Sequence, residues 1–293
     1  MTEISGAFSS TKTTEAIHIM RNAIYRNSFN VLFQDVEGTS GKENGEPDEK
    51  YFNALGIDVN DFIYSRPDSL EECTQMILNA QQSGQVQMAI WDSLAMTEPN
   101  KILDKDMEDT VQMGVKQRLD NEFFSKYQLN NNRLVREGKI PFTLVVINQL
   151  REKIGAIHQD PEYTPGGRGK SFASSVEIRF RQGDWIKEKD KIVGQVVKYK
   201  INKNKTYMRM KSGEFDIYLD ENNLGVPKFY TDNEKSLVIE AVQYGLIEKR
   251  GGWYYVDNEK FQGLDKVLSY LREHPKVVDK FREQILDLDK KVK

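Results

Sequence analysis

The sequence predicts an α/β fold in which a central, mostly parallel sheet is extended by antiparallel strands and followed by a small C-terminal α/β lobe. In the first half of the chain, short apolar runs alternate with amphipathic stretches, which is the pattern of strands that crossover helices bury on both faces. After residue 171 the apolar residues recur with a period of two, as in antiparallel strands. Residues 222–227 contain two asparagines, a glycine and a proline, so they predict a boundary between a core of residues 1–225 and a lobe of residues 226–293.

The individual elements follow from the same patterns. The apolar runs predict parallel strands at residues 3–5, 30–34, 62–65, 87–91 and 142–147. The amphipathic stretches between them predict helices near residues 13–26, 48–55, 69–82 and 110–128. The strands predicted to be antiparallel lie at residues 175–181, 192–201 and 214–219. In the lobe we expect a strand at residues 253–256 and helices at residues 233–244, 263–273 and 276–288.

The bulk composition excludes several classes of protein. The chain has 293 residues, of which 30% are charged and 38% hydrophobic, and its longest strongly apolar run is far too short to cross a bilayer. Because Cys73 is the single cysteine, an internal disulfide framework and a multi-cysteine zinc site are excluded, and we expect a cytoplasmic protein without a membrane partner. A net charge of −3 argues against coating of nucleic acid through overall positive potential, so any such binding needs local patches.

The N-terminal residues nearly match a phosphate-binding loop. Gly6, Lys12 and Thr13 satisfy the pattern G-x-x-x-x-G-K-[ST], but Thr11 stands at the second glycine. In such a loop, backbone N–H groups surround the phosphates, the lysine reaches the outer two, and the hydroxyl binds Mg²⁺. A β-branched residue at position 11 is unfavourable if the loop needs a positive φ there. The alternative interpretation is a Ser/Thr-rich helix start that Thr13 or Thr14 caps.

Polar side chains follow three of the predicted parallel strands. The second, fourth and fifth strands run into Glu37, Asp92 and Gln149, respectively. Because ligands of open parallel sheets bind at the carboxyl ends of the strands, we expect these groups to converge around a nucleoside triphosphate. Each residue has a structural alternative, such as a helix cap for Asp92 or a turn for the Asn-Gln pair. Their combination in this order favours the nucleotide site.

Phosphoryl transfer to water requires charge neutralisation, a metal and an oriented nucleophile, and each requirement has a candidate. Lys12 is expected on the β- and γ-phosphates, while Thr13 and Asp92 are the candidates for Mg²⁺. Glu37 is the candidate that accepts a proton from the attacking water. Gln149 is the candidate that hydrogen-bonds the γ-phosphate and reports its presence to the following loop.

Two predicted connections are longer than the usual four to six or so residues. The connection at residues 37–47 is glycine-rich and polar. The connection at residues 151–171 contains several glycines and prolines and carries little net charge. It is either a solvated flexible loop or a loop that binds a nucleic-acid backbone through N–H groups and a few cations.

Eight short motifs occur in the order and approximate spacing of the bacterial RecA recombinases and their phage-encoded relatives. The chain resembles this family over almost its whole length, in GAFSSTKTT (6–14), DVE (35–37), YFNALGID (51–58), IWDS (90–93), INQLREKIG (147–155), GG (166–167), KNK (203–205) and LIEKRGGWY (246–254). INQLREKIG followed by a Gly-Gly loop is the most specific part, because it separates this family from other phosphate-loop ATPases. The resemblance implies a RecA-like ATPase core with ATP and Mg²⁺ as its ligands.

The resemblance also assigns the nucleotide site. It implies that Glu37 is the catalytic carboxylate, that Gln149 is the γ-phosphate switch, and that Asp92 and Thr13 serve the metal. It implies that the nucleotide contacts are Gly6, Ser9, Ser10, Thr11, Lys12, Thr13, Thr14 and Asp92, together with Asp48 and Tyr51 at the adenine. The alternative for Tyr51 is a core residue on a helix with Leu55.

Two lysines are assigned to the neighbouring subunit by the same resemblance. Lys203 and Lys205 match the lysines that reach the γ-phosphate of the adjacent protomer, so that hydrolysis is completed in trans. The alternative is that both are solvated charges at a strand end.

The DNA-binding loops are implied in the same way. Residues 151–171 match the second DNA-binding loop, with contacts expected from Arg151, Lys153, Gly166, Gly167, Arg168 and Lys170. Ile154 lies where an apolar side chain wedges between base triplets. Residues 105–114 match the first loop, with Met113 as the corresponding wedge; the alternative is a methionine on a helix face.

These assignments imply a DNA-dependent ATPase that binds single-stranded DNA and promotes homologous pairing and strand exchange with duplex DNA. Family members dock onto the next protomer through an N-terminal helix and strand, whereas this sequence begins at the strand before the phosphate loop. We therefore expect a helical filament if such a docking element exists. The alternative is an assembly-deficient or non-catalytic RecA-fold module that binds nucleotide or DNA and regulates another recombinase. A ring helicase is disfavoured by INQLREKIG and by the C-terminal lobe.

Overall fold

A computed structural model describes residues 1–104, 114–152, 162–206 and 211–291 of the chain. Its contacts divide the chain into two compact units. The first comprises Met1–Arg181 and Tyr199–Ser212, and the second comprises Gln182–Lys198 and Gly213–Lys293. This division assigns residues 182–198 to the second unit, and the boundary predicted after residue 225 stays a prediction.

The first part of the chain alternates strands with helices, as predicted. Its elements are β1 Thr2–Gly6, α1 Lys12–Asn27, β2 Val31–Asp35, α2 Glu49–Ala54, β3 Ile63–Ser65, α3 Leu70–Ser83, β4 Met88–Asp92, α4 Asn100–Leu103, α5 Val115–Arg136 and β5 Thr143–Gln149. The five strands are parallel and lie in the order β1-β5-β4-β2-β3. Strands β2 and β4 are buried at every position, because helices cover both faces of the sheet. The predicted α/β class is confirmed.

The chain then extends the sheet on the other side of β1. The further elements are β6 Arg151–Glu152, β7 Glu162–Tyr163, α6 Gly167–Ala173, β8 Val176–Glu188, β9 Lys191–Asn204 and β10 Ser212–Tyr218. The complete order is β10-β9-β8-β1-β5-β4-β2-β3. Strand β10 is antiparallel to β9, because the N–H groups of Ile201 and Leu219 donate to the carbonyl groups of Lys211 and Val193.

Two features of this region were not predicted. Strand β8 is antiparallel to β9, to which two residues join it, but it runs parallel to β1, because α6 carries the chain back across the sheet before β8 begins. The apolar alternation in β8 marks a half-exposed face and does not fix the strand direction. In addition, the last residues of the connection predicted at 151–171 belong to α6. This helix contains two glycines, which lower its intrinsic helix propensity and concealed it in the sequence.

The core of the first unit lies between the sheet and helices α3 and α5. Phe123, Phe124 and Tyr127 of α5 are buried beside Trp91 of β4. Cys73 is fully buried in this core, and its thiol donates to Gln34 Oε1 over 2.9 Å. The rigid sheet that results holds the carboxyl ends of β1, β2, β4 and β5 side by side.

The second unit contains a separate antiparallel sheet and three helices. Its later elements are α7 Asn233–Gln243, β11 Glu248–Arg250, β12 Trp253–Val256, β13 Glu259–Gln262, α8 Leu264–Glu273 and α9 Pro275–Lys291. Val256, Val267, Leu271 and Phe281 are among its buried core residues. The sequence predicts only the middle strand, because β11 and β13 are short and mostly exposed. Within the described ranges, no helix combines the length and apolar character that crossing a membrane requires.

Candidate functional site

The turn between β1 and α1 has the geometry of a phosphate-binding loop. Ser9 and Thr11 adopt φ values of 57° and 59°, which lie in the left-handed region. A Cβ atom on Gly6 would lie 2.3 Å from Ser10 Oγ, so only glycine fits at the start of the turn. The Lys12 ammonium donates to the Ala7 carbonyl over 2.8 Å and folds back over the turn.

The alternative of a helix capped by Thr13 or Thr14 is not supported. Helix α1 begins at Lys12, and its N-cap residue is Thr11, which makes no side-chain capping hydrogen bond. The Thr11 hydroxyl instead donates to the Ser10 carbonyl over 2.8 Å. The positive φ of Thr11 is the conformation that the second glycine of the pattern supplies without strain, and the chain adopts it with a β-branched residue.

Thr13 and Asp92 form a pair at the carboxyl ends of β1 and β4. The Thr13 hydroxyl donates to Asp92 Oδ2 over 2.6 Å. Asp92 is 1% exposed, and burial raises its pKa to about 7, although the Thr13 hydrogen bond acts in the opposite direction. Burial also lowers the pKa of Lys12, against the attraction of Asp92 and Glu37. A hydroxyl and a carboxylate are the hard oxygen ligands that Mg²⁺ prefers, so this donor set fits that ion.

Glu37 and Gln149 meet beside this pair. The Gln149 side-chain amide donates to Glu37 Oε1 over 2.8 Å, and the Ser93 hydroxyl donates to the same oxygen. The Glu37 backbone N–H donates to the Asp92 carbonyl over 3.3 Å, which fixes the start of the segment after β2. The parallel sheet therefore brings together the predicted catalytic carboxylate, the predicted switch and the predicted metal ligand.

The two predicted adenine contacts lie at the start of α2. Asp48 is the N-cap of this helix and accepts hydrogen bonds from the backbone N–H groups of Lys50 and Tyr51. Tyr51 is half-buried, and burial raises its pKa, while a hydrogen bond with the Thr14 side chain acts in the opposite direction. The Tyr51 ring therefore lies beside the phosphate loop. The core positions of this helix are taken by Phe52 and the following Leu55.

The connection at residues 37–47 is folded onto Asp35, a residue without a role in the sequence predictions. The buried Asp35 carboxylate accepts from the Thr39 and Ser40 N–H groups over 3.2 and 2.8 Å, and from the Tyr64 hydroxyl over 2.7 Å. Burial raises the Tyr64 pKa, and the Asp35 hydrogen bond acts in the same direction. The available signal in the sequence was an acidic residue at the end of a mostly apolar strand. Asp35 thus anchors the insertion that begins at Glu37.

Four of the predicted DNA contacts lie near the carboxyl end of β5. Arg151 is exposed, and its guanidinium donates to the Ala95 carbonyl over 3.2 Å. Gly166 and Gly167 adopt φ values of 103° and 63° where α6 begins, and Arg168 is exposed on the first turn. Three further predicted contacts lie outside the described residues: Met113, Lys153 and Ile154.

Lys170 was predicted to contact DNA, but this structure buries its side chain. Lys170 is 2% exposed, and its Nζ lies 2.5 Å from Glu3 Oε1 and also donates to the Thr164 hydroxyl. The ammonium is turned toward the sheet by α6 and has no access to a phosphate in solvent. Glu3, the acidic residue of a strand that is otherwise uncharged, was the sequence signal for a buried partner.

Lys203 and Lys205 contact the last turn of α6. Lys203 donates to the Ser171 carbonyl and lies 3.8 Å from Glu177, and Lys205 donates to the Phe172 carbonyl over 3.0 Å. Carbonyl groups at a helix C-terminus lack partners within the helix and attract cations. The described contacts of both ammonium groups thus tie the end of β9 to α6.

Comparison with known proteins gives one family for both parts of the chain. The family model of the RecA N-terminal domain matches residues 1–223, and that of the RecA C-terminal domain matches residues 236–288. Protein RecA of Aquifex aeolicus is 33% identical over 286 residues, which cover 97% of this chain and 76% of that relative. Protein RecA of Acidothermus cellulolyticus is 31% identical over 284 residues, which cover 97% of this chain and 76% of the relative. The corresponding protein of Heliobacterium modesticaldum is 32% identical over 284 residues, with 97% and 75% covered.

Proposed function

Because the chain belongs to the RecA family, we propose that it hydrolyses ATP when bound to single-stranded DNA and uses this cycle in homologous pairing and strand exchange. Family membership makes the chain a DNA recombinase, with nucleotide, Mg²⁺ and DNA binding and filament formation as general properties of the family. Neither the similar proteins nor the described residues favour a non-catalytic regulatory module.

The contact between Glu37 and Gln149 is the observation that carries the proposal. Glu37 accepts from Gln149 and from Ser93 on one carboxylate oxygen, which leaves its other oxygen to accept a proton from water. Lys12, which is half-buried, would supply positive charge where the outer phosphates of ATP bind. Thr13 and Asp92 would hold Mg²⁺, which supplies charge stabilisation at the phosphates when it is bound.

Gln149 connects this chemistry to the DNA. Its amide donates to Glu37 in the present structure, and an oxygen of the γ-phosphate is a competing acceptor for the same N–H. When the amide changes partner, the end of β5 moves with it, and Arg151 follows two residues later. The nucleotide state thus biases the position of the segment that contacts DNA.

The DNA contacts are proposed for the region around the Gly-Gly turn. Arg151 and Arg168 would bind phosphates, and the N–H groups of Gly166 and Gly167 would approach the backbone closely. Lys153, Ile154 and Met113 belong to this proposal from their motif positions alone. Because the protein contacts the backbone, Watson–Crick pairing between strands supplies the sequence recognition.

Hydrolysis is proposed to be completed across a filament interface. Lys203 and Lys205 would reach the γ-phosphate held by the adjacent protomer, as the family motif KNK implies. Among the described residues, Lys203 contacts a backbone carbonyl and the Glu177 carboxylate, and Lys205 contacts a backbone carbonyl. Movement toward a phosphate would replace these acceptors with a more strongly charged one.

The test is phosphate release from ATP and Mg²⁺ with and without single-stranded DNA, at several protein concentrations. We expect DNA to stimulate turnover at least tenfold, and we expect Lys12→Ala to abolish turnover in both conditions. The matched control is Lys50→Ala, which removes an exposed ammonium from nearby α2 and should leave turnover unchanged. Absence of DNA-stimulated turnover in the unaltered chain, even at high protein concentration, would favour the non-catalytic alternative.

A further inference from the structure

We propose that Glu3, Lys170 and Asn148 form a buried polar cluster that links the nucleotide switch to the DNA-binding segment, with Lys170 and Asn148 as positioning residues. This inference rests on the proposed function, because it names the connection through which Gln149 acts. The cluster lies beneath the Gly-Gly turn, on the face of the sheet that α6 covers.

The cluster is unusual in its burial. Lys170, Glu3 and Asn148 are 2%, 3% and 0% exposed, respectively. Lys170 Nζ lies 2.5 Å from Glu3 Oε1, and Asn148 Nδ2 donates to the same oxygen over 2.8 Å. Removing two charges from water is costly, and a buried ion pair is therefore weak evidence for a purely stabilising role. Its better-attested use is to specify one arrangement of the elements that it joins.

Asn148 connects the switch to the returning arm of the loop. It directly precedes Gln149, and its Oδ1 accepts from the Gln149 backbone N–H over 3.0 Å. Its Nδ2 also donates to the Pro165 carbonyl over 2.9 Å, immediately before the Gly-Gly turn. A displacement of Gln149 therefore alters hydrogen bonds that hold both Glu3 and Pro165.

Lys170 connects α6 to the strand that leads into the phosphate loop. Its ammonium bridges Glu3 on β1 and the Thr164 hydroxyl, so it ties both sides of the Gly-Gly turn to the sheet. Glu3 lies three residues before Gly6, where the phosphate loop begins. The cluster thus joins α6 to β1 and β5, the two neighbouring strands that carry the phosphate loop and the switch.

The cluster also continues toward the lysines assigned to the adjacent protomer. Glu177 on β8 lies directly opposite Glu3 in the sheet register. Burial raises the pKa of Glu177, and the neighbouring Glu3 acts in the same direction, while Lys203 and Lys170 oppose them. Lys203 lies 3.8 Å from Glu177 and donates to the Ser171 carbonyl in α6. A continuous set of polar contacts therefore connects Gln149, the Gly-Gly turn and Lys203.

The experiment uses the full chain with a double substitution that removes both charges together, Glu3→Gln with Lys170→Met. Removing both partners avoids leaving one buried charge uncompensated. The matched control is Asp216→Asn with Lys235→Met, which removes another ion pair of 2.5 Å, partly buried, in the second unit. Asn148→Ala is a third variant, which removes the amide donor and leaves the ion pair in place.

Two measurements are made on each variant. The first is hydrogen exchange of the backbone amides in residues 162–173, with and without a non-hydrolysable ATP analogue. The second is the ratio of kcat with single-stranded DNA to kcat without it, together with KM for ATP. We expect the unaltered chain and the control pair to show nucleotide-dependent exchange. In the double variant and in Asn148→Ala, we expect this dependence to disappear and DNA stimulation to fall at least tenfold, while KM in the double variant changes less than about threefold.

The outcomes separate this inference from the proposed function. Nucleotide-dependent exchange that persists in the double variant or in Asn148→Ala overturns the inference, even if catalysis is impaired. The same holds if the amides of α6 in the unaltered chain do not respond to nucleotide at all. If those amides respond and the response is lost in the variants, the inference is supported, even if hydrolysis is never stimulated by DNA. An absence of DNA-stimulated hydrolysis would count against the proposed function alone.

Discussion

The side-chain amide of Gln149, at the end of β5, donates a 2.8 Å hydrogen bond to the carboxylate of Glu37, just after β2. These residues are 112 positions apart in the sequence, and the parallel sheet brings them together because β4 alone separates their strands. The hydrogen bond thereby holds the two side chains beside each other. The contact joins the proposed proton acceptor, Glu37, directly to the proposed phosphate sensor, Gln149.

The first prediction concerns the sensor. Gln149→Ala should leave ATP binding within a few-fold of its original strength, because Lys12 and the loop are unaltered, but it should remove the stimulation of hydrolysis by DNA. Fluorescence titration with a labelled nucleotide and phosphate release with and without DNA measure the two properties. Gln82→Ala, at an exposed position on α3, is the control. Unchanged stimulation in Gln149→Ala would remove the coupling role.

The second prediction concerns the carboxylate. Glu37→Gln keeps the shape of the side chain but removes its capacity to accept a proton from water. We expect turnover to fall by roughly 10²–10⁴-fold, the usual contribution of a general base, with nucleotide affinity nearly unchanged. Glu46→Gln, an exposed substitution in the same connection, should retain full turnover. Equal losses of turnover in Glu37→Gln and Glu46→Gln would show that turnover depends on the connection at residues 37–47 and not on the Glu37 carboxylate.

The sequence was sufficient for those features that follow from burial along the chain. Strands β2, β4 and β5 are short, mostly apolar runs that end in polar residues, and the carboxyl ends of parallel strands share one edge of the sheet. This rule alone predicts that Glu37, Asp92 and Gln149 lie together. The family motifs added roles to these positions, but the convergence of the side chains follows from strand direction.

The sequence was insufficient where tertiary contacts decide the outcome. Helix α6 contains Gly167 and Gly169, and its stability depends on packing against α5, where Asn121 Oδ1 accepts the Gly169 N–H over 2.8 Å. No local signal reports such a contact. If residues 167–173 are interpreted as a loop, Lys170 is an exposed cation. Because they form α6, the Lys170 side chain instead points toward Glu3. The parallel pairing of β8 with β1 was not predicted for the same reason, because it depends on the crossover that contains α6.

The third prediction concerns catalysis across the protomer interface. Lys203→Ala with Lys205→Ala should lose most hydrolysis, because the adjacent γ-phosphate lacks its cations. Lys12→Ala should lose hydrolysis in its own site but still supply both lysines to a neighbour. When the two inactive proteins are mixed on DNA, we expect a fraction of the activity to return, measured as phosphate release. A mixture that stays inactive, although both proteins bind DNA, contradicts the assignment in trans.

The fourth prediction concerns pH and the buried Asp120 of α5. Burial raises the pKa of Asp120 from 3.8 to about 6, although Lys116 and Lys170 oppose this shift and Glu98 reinforces it. The folded state therefore binds this proton more tightly than the unfolded chain. The contribution of Asp120 to the free energy of unfolding is largest below the pKa that this carboxyl has in the unfolded chain. It declines as the pH rises through the pKa that the carboxyl has in the folded state.

Asp120→Asn removes this dependence. The free energy of unfolding of the variant, relative to that of the original chain, should rise from about pH 4 to about pH 7 by on the order of 3 kcal/mol and then level off. Denaturant unfolding at each pH measures the difference. Asp257→Asn, a substitution of an exposed carboxylate that pairs with Lys280, is the control and should show no such rise. A flat difference for Asp120→Asn would contradict the role of burial.

The fifth prediction concerns Thr11, the residue that departs from the phosphate-loop pattern. Its φ of 59° lies in the left-handed region, where a residue with a Cβ atom costs roughly 1–2 kcal/mol. Glycine removes this cost, although its greater freedom in the unfolded chain costs about 0.5–1 kcal/mol. Thr11→Gly should therefore raise the free energy of unfolding by about 0.5–1 kcal/mol, as measured by denaturant titration.

A second left-handed residue on the same helix provides the matched comparison. Ser28 ends α1 with a φ of 55° and lies at the opposite end of the helix from the phosphate loop. Ser28→Gly should be stabilising for the same reason, but only Thr11→Gly should change nucleotide affinity, because only that residue shapes the backbone N–H groups around the phosphates. If Thr11→Gly lowers stability while Ser28→Gly raises it, the threonine contributes an interaction that outweighs its backbone strain, and the loop is adapted to this residue.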